Sequence, residues 1–148
     1  MWEHEHMWEH EHTVETGVSP EAIWAVLSDL DQWPRWDTSM EQVTRQGPFA
    51  VGTRVSMTPA GQEPIVSTIV AITEPEYYAD RTDFGPVTLE FSHRLTRLDH
   101  GGTRITHRLE ITGDGAAEHG PRLGPEITAD FPEAMSGLLA AAAASSTI

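Results

Sequence analysis

From Val87 to Thr112 apolar and polar side chains alternate almost without interruption, with Asp99-His100-Gly101-Gly102 in the middle. Neighbouring side chains of a strand point to opposite faces, so this pattern predicts two long strands, 87–98 and 103–112, joined as an antiparallel hairpin by a four-residue connection. One face of the first carries Val87, Leu89, Phe91, His93 and Leu95; the matching face of the second carries Thr103, Ile105, His107, Leu109 and Ile111. Two histidines therefore sit in apolar rows. Depending on how the hairpin closes, they lie opposite each other or one step diagonal, within roughly 8 Å. Further strands are predicted at 38–46, 53–58, 64–73 and 77–84 from β-branched content and the Gly and Pro breakers between them. In 77–84 neither parity is the more apolar, so its inward face stays open, with Tyr78 and Asp80 as candidate polar contacts.

The period changes to that of a helix at two places. Ser19 can cap, Pro20 suits a first helical position and Glu21 sits well at the positive end of the helix dipole. Ile23, Leu27 and Leu30, flanked by Trp24 and Val26, then make one apolar face. Pro34 forbids a continuous run, so Trp33 and Trp36 read as a second short turn folded onto the same core. A closing helix is predicted from near Pro125, after the breakers Gly120, Pro121 and Gly124. Its stripe is Ile127, Phe131, Met135, Leu138 and Ala142, with a bend expected at Pro132. At the other end Met1–His6 is repeated as residues 7–12, and only the second copy is in register to join a strand through Val14. That copy places Trp8, His10, His12 and Val14 on one face; the first is expected to fray, which makes residues 1–6 an appendage and 7–148 a single domain.

Composition narrows the chemistry. The 148 residues with 39% hydrophobic content suit one domain. No apolar run is long enough to span a membrane and no secretory leader is visible, so a cytoplasmic location is the expectation. The absence of cysteine removes disulfides and thiol chemistry, and the absence of lysine excludes a lysine Schiff base. A net charge of −14 opposes nucleic acid and anionic lipid as partners. No phosphate-binding loop, dinucleotide fingerprint or serine-hydrolase elbow occurs. His10 and His12 share a face, yet no spaced carboxylate or thiolate completes a metal site, so no metal and no cofactor is expected. Arg94 and Arg108 fall on the face opposite the histidines and read as solvent-side partners of Glu90 and Glu110.

The segment Trp33-Pro34-Arg35-Trp36-Asp37 resembles the W-x-x-W-type segment of the polyketide cyclase/dehydrase branch of the START-related helix-grip (SRPBCC) superfamily. The resemblance continues through Gly47-Pro48-Phe49, Val51-Gly52-Thr53, Gly101-Gly102-Thr103-Arg104 and Asp130-Phe131-Pro132, and so covers nearly the whole chain. It implies an α+β helix-grip fold: a curved antiparallel sheet of about seven strands around a long C-terminal helix, with two short helices between strands one and two. It also implies a small apolar or aromatic, polyketide-like ligand held between sheet and C-terminal helix, with cyclisation or dehydration as the reaction. His93 and His107 are the candidate catalytic residues, because imidazole moves protons near neutral pH, with a satisfied core histidine as the plainer reading of each. Trp24, Trp33, Trp36, Tyr78, Phe84, Phe91, Phe131 and Met135 are the candidate ligand contacts, with core packing as the plainer reading of Trp33, Trp36, Phe131 and Met135. The alternative is a carrier or sensor that binds a hydrophobic ligand unchanged. A homodimer is compatible with either.

Overall fold

The computed structural model describes residues 7–146, so the first hexapeptide copy lies outside the described residues. Strand β1 (Met7–Thr16) leads into helix α1 (Pro20–Leu27) and a 3-10 turn over Leu30–Arg35. Six strands follow: β2 (Met40–Arg45), β3 (Arg54–Pro59), β4 (Ile65–Thr73), β5 (Tyr77–Phe84), β6 (Val87–Arg97) and β7 (Thr103–Thr112). Helices α2 (Ala116–Thr128) and α3 (Phe131–Ser146) come last. The strands form one antiparallel sheet in the order β1-β7-β6-β5-β4-β3-β2, so the first strand pairs with the last. Irregular register between Met40 and Gln42 and between Ile69 and Ala71 helps the sheet curve. The architecture is the α+β helix-grip fold, with the helices on the concave face.

Local sequence explains each joint. The Ser19 hydroxyl accepts the Ala22 N–H at 3.2 Å and Pro20 opens α1, which buries Ile23, Trp24 and Leu27. The Trp33 indole N–H donates to the Leu27 carbonyl at 2.8 Å and ties the 3-10 turn to the end of α1. Gly137 of α3 lies against the Trp36 carbonyl oxygen, where any Cβ would collide. The tryptophan segment therefore braces helix against helix.

The C-terminal helical element departs from the expected start near Pro125: it begins at Ala116, and Gly120, Pro121, Gly124 and Pro125 all lie inside α2. The two glycines face Trp8 of β1. A Cβ at Gly120 would stand 2.6 Å from the Trp8 Cβ, and one at Gly124 would run into the indole ring. Close approach to β1 thus overrides the poor helix propensity of glycine. The bend expected at Pro132 is a full break just before it, at Ala129 and Asp130, which puts Pro132 in the first turn of α3 where no backbone donor is required.

The core has two parts. The larger joins Ile23, Leu27, Trp33 and Tyr78 to Met135 and Leu138 of α3; the smaller joins Val87, Leu89, Leu109 and Ile111 to Ala116, with Phe91, Leu123, Ile127 and Phe131 packed on it. No helix among the described residues is long and apolar enough to cross a membrane.

Candidate functional site

The hairpin register places His93 directly opposite His107, and the same row continues to Tyr78 on β5 and His12 on β1. Three imidazoles and a phenol thus cross four adjacent strands on the concave face. His93 and His107 are 8% and 3% exposed, with ring centroids 4.3 Å apart and planes nearly perpendicular. They bridge the two parts of the core. His93 meets the edges of Trp33 at 5.7 Å and lies 5.8 Å from Tyr78, while His107 meets Phe131 at 6.1 Å.

Nδ1 of His93 and Nε2 of His107 are buried with no hydrogen-bond partner among the described residues. Buried polar atoms are nearly always paired, so two orphaned nitrogens side by side need an explanation. Burial holds the His93 imidazole down at about pKa 4. His107 is also held well below the usual histidine range, by burial first and then by His93 and His12. Both rings are therefore neutral near pH 7, each with one donor and one acceptor nitrogen.

One row along, Asp80 is buried and accepts hydrogen bonds from Ser67 Oγ at 2.8 Å and the Tyr78 hydroxyl at 2.9 Å. Burial raises its pKa to about 6, against the lowering effect of those two bonds and with a smaller push from Glu90. The Tyr78 phenol is raised as well, by burial and then by Asp80. The inward parity of β5, open at the sequence level, is thus Tyr78, Asp80 and Thr82. Ser67 and Phe49 are additions to the site: Phe49 stacks on Tyr78 at 5.8 Å. Ser67 could have been found only through the β4–β5 pairing, and Phe49 carries no periodic signal because it lies in a turn.

The other candidate contacts are spread unevenly. Trp24, Trp33, Trp36 and Met135 are buried in the larger cluster, with Trp24 against Phe49; Phe91 and Phe131 belong to the smaller. Phe84 is 47% exposed and lies away from the histidines. It lines a pocket of about 340 Å³ with Pro86, Val87, His119, Arg122 and Leu123, between the β5–β6 turn and α2. A smaller pocket of about 120 Å³ is lined by Asp37, Ser39, Asp130 and Glu133 among others. Neither has His93 or His107 in its wall; the rings of Trp33, Tyr78 and Phe131 pack around the pair. Among the described residues no three His, Asp or Glu side chains converge as a metal site. On the convex face Arg108 pairs with Glu9, Glu11 and Glu110, whereas Arg94 stacks over the Tyr77 ring at 4.5 Å instead of pairing with Glu90, which Arg81 holds.

A family profile described as polyketide cyclase / dehydrase and lipid transport matches residues 7–145, almost the whole chain. The chain belongs to that family. None of the curated proteins matches it significantly. Among solved structures, the di-domain aromatase/cyclase StfQ of the steffimycin pathway is similar with a TM-score of 0.78 and 12% identity, over 99% of this chain and 55% of that one. This family member thus spans about half the length of the two-domain protein. The Zhui aromatase/cyclase from Streptomyces sp. R1128 has a TM-score of 0.72 and 18% identity, over 93% of this chain and 94% of that one. Norcoclaurine synthase from Thalictrum flavum has a TM-score of 0.69 and 17% identity, over 90% and 86%. At these identities the likeness shows the fold.

Proposed function

We propose that this member of the family binds a small, largely apolar, polyketide-like or aromatic ligand on the concave face and promotes its cyclisation or dehydration. The observation that carries the reading is the pair of orphaned nitrogens on His93 and His107, buried side by side among Trp33, Tyr78 and Phe131. A ligand carbonyl or hydroxyl group that displaces an aromatic ring there would meet two ring nitrogens, each able to donate or to accept according to the tautomer its ring adopts. In a dehydration, one neutral imidazole takes a proton from the carbon next to a carbonyl while the other donates its N–H to the enolate oxygen. The proton is then delivered to the departing hydroxyl, and water leaves. An imidazole with a low pKa holds that proton only briefly, which suits transfer more than storage.

The same low pKa favours a second reading. Neutral imidazoles are sufficient to bind a ligand's oxygen atoms, so a carrier or sensor needs nothing further from them. Mass analysis of small molecules that co-purify with the protein, followed by incubation, separates the two. The enzyme reading expects the ligand to change in the wild type and to stay bound but unchanged in the double variant His93→Gln/His107→Gln. An unaltered ligand in the wild type supports the carrier, and turnover undiminished in the double variant overturns the acid-base role.

A further inference from the structure

The pocket beneath Phe84 has walls of two kinds. Phe84, Pro86, Val87 and Leu123 make it apolar, while Arg122 and His119 stand on the α2 side. The guanidinium is positioned: Arg122 Nη2 lies 2.5 Å from His119 Nδ1, and His119 Nε2 faces Glu118 Oε2 at 3.6 Å. The chain Glu118, His119, Arg122 thus orients one cation at the mouth of an apolar cleft. Among the described residues Arg122 has no carboxylate partner, although acidic residues outnumber basic ones by 23 to 9. The cleft is also built to hold its shape. The Gly115 N–H donates to the Pro86 carbonyl at 3.1 Å, fastening the start of α2 to the β5–β6 turn. A Cβ at Gly115 would come within 2.7 Å of the Pro86 ring. Gly85, at φ +64°, supplies the left-handed residue that this turn requires.

We infer that this cleft is a second binding site, separate from the histidine pair, for a small amphipathic carboxylate with an aromatic or short acyl body. The body lies against Phe84, Val87 and Leu123, and the carboxylate takes the free edge of the Arg122 fork. Planar guanidinium and carboxylate match in a two-point contact that a neutral group cannot make. A volume of about 340 Å³ is within the range of small-molecule sites. The occupant is anionic because the wall carries a cation, Arg122, that has no carboxylate partner among the described residues. In a chain of net charge −14, a more polar or cationic ligand would find acidic surface elsewhere. Phe84, with 47% of its surface exposed, is then the apolar lip of the site.

Titration of isotope-labelled protein with naphthoate, and in parallel with the neutral naphthamide of the same shape, tests this by amide NMR. Naphthoate is expected to bind more tightly, with shifts concentrated at the amides of Gly85, Val87, His119, Gly120, Arg122 and Leu123. Arg122→Gln should weaken naphthoate about tenfold or more while leaving naphthamide within about twofold. Phe84→Ala should weaken both. Both positions are exposed, so the fold is kept, and unchanged dispersion of the remaining amide signals checks it. Equal affinity for the two probes overturns the proposal, as does binding of neither. Naphthoate shifts centred on the strands around His93 and His107, or lost in His93→Gln/His107→Gln, also overturn it. The outcome is independent of whether the histidine pair turns over a ligand.

Discussion

His107, 3% exposed, leaves Nε2 without a hydrogen-bond partner among the described residues. An unsatisfied buried polar atom costs about 1–3 kcal/mol, and replacing it by an apolar group of similar shape removes that cost. His107→Leu is therefore expected to raise the free energy of unfolding by about 1 kcal/mol in urea titrations while ligand binding on the concave face falls. A loss of stability instead would mean that the nitrogen is satisfied in solution. The titration of neighbouring groups makes a second test. Asp80 is raised from 3.8 to about 6, so between those values the folded chain keeps a proton that the unfolded chain has lost, and its contribution to stability falls as pH rises. His93 is lowered from 6.5 to about 4, so across that window the unfolded chain binds a proton that the folded one excludes, and its contribution rises with pH. His107 acts in the same direction as His93. The histidines together outweigh the carboxylate, and stability should climb from about pH 4 to 6.5. Asp80→Asn removes the opposing contribution and should steepen the climb by up to about 1.4 kcal/mol per pH unit. A slope equal to the wild type's would contradict the raised carboxyl.

Among the elements, α3 is fixed against the tryptophan segment at one point, where Gly137 admits the Trp36 carbonyl oxygen. Alanine there gains up to about 1 kcal/mol of helix propensity and loses more to a backbone collision that no rotamer relieves. Gly137→Ala should cost about 2 kcal/mol net and lower Tm by roughly 4–8 °C in a thermal melt. The hairpin strands and α1 are legible in the sequence because period and burial agree, and β2 to β5 because β-branched runs lie between Gly and Pro breakers. The extents 77–84 and 103–112 match the structure, and His93 and His107 do face each other. Two elements were illegible for different physical reasons. The inward row of β5 is Tyr78, Asp80 and Thr82, so hydrophobicity could not tell inside from outside, and only pairing with β6 decides it. In α2 the residues that usually end helices, Gly120 and Gly124, recur at a spacing of four and form the notch for Trp8. That spacing was the available clue. Open volume was less legible still, since it depends on how rings fill the concave face.

For the molecule as a whole, the balance of charge sets a response that packing does not. The net charge is −14, and the arginine pairs with Glu90, Glu21, Glu15 and the Glu9/Glu11/Glu110 group lie on exposed or half-exposed side chains. Such pairs contribute little individually because water and counterions screen them. The excess of carboxylates repels at longer range and opposes compactness. Salt shortens both interactions, and the repulsion, summed over many distant pairs, loses more: the screening length falls to about 10 Å at 0.1 M. Raising sodium chloride from about 20 mM to about 200 mM should therefore raise Tm. A fall in Tm would show instead that the exposed ion pairs outweigh the repulsion. The test also bears on Arg122, which has no carboxylate partner among the described residues: naphthoate held by that guanidinium should bind more weakly over the same salt range in which the fold becomes more stable. Opposite signs for the two responses, in one protein and one buffer series, would separate a local ionic contact from the global excess of charge.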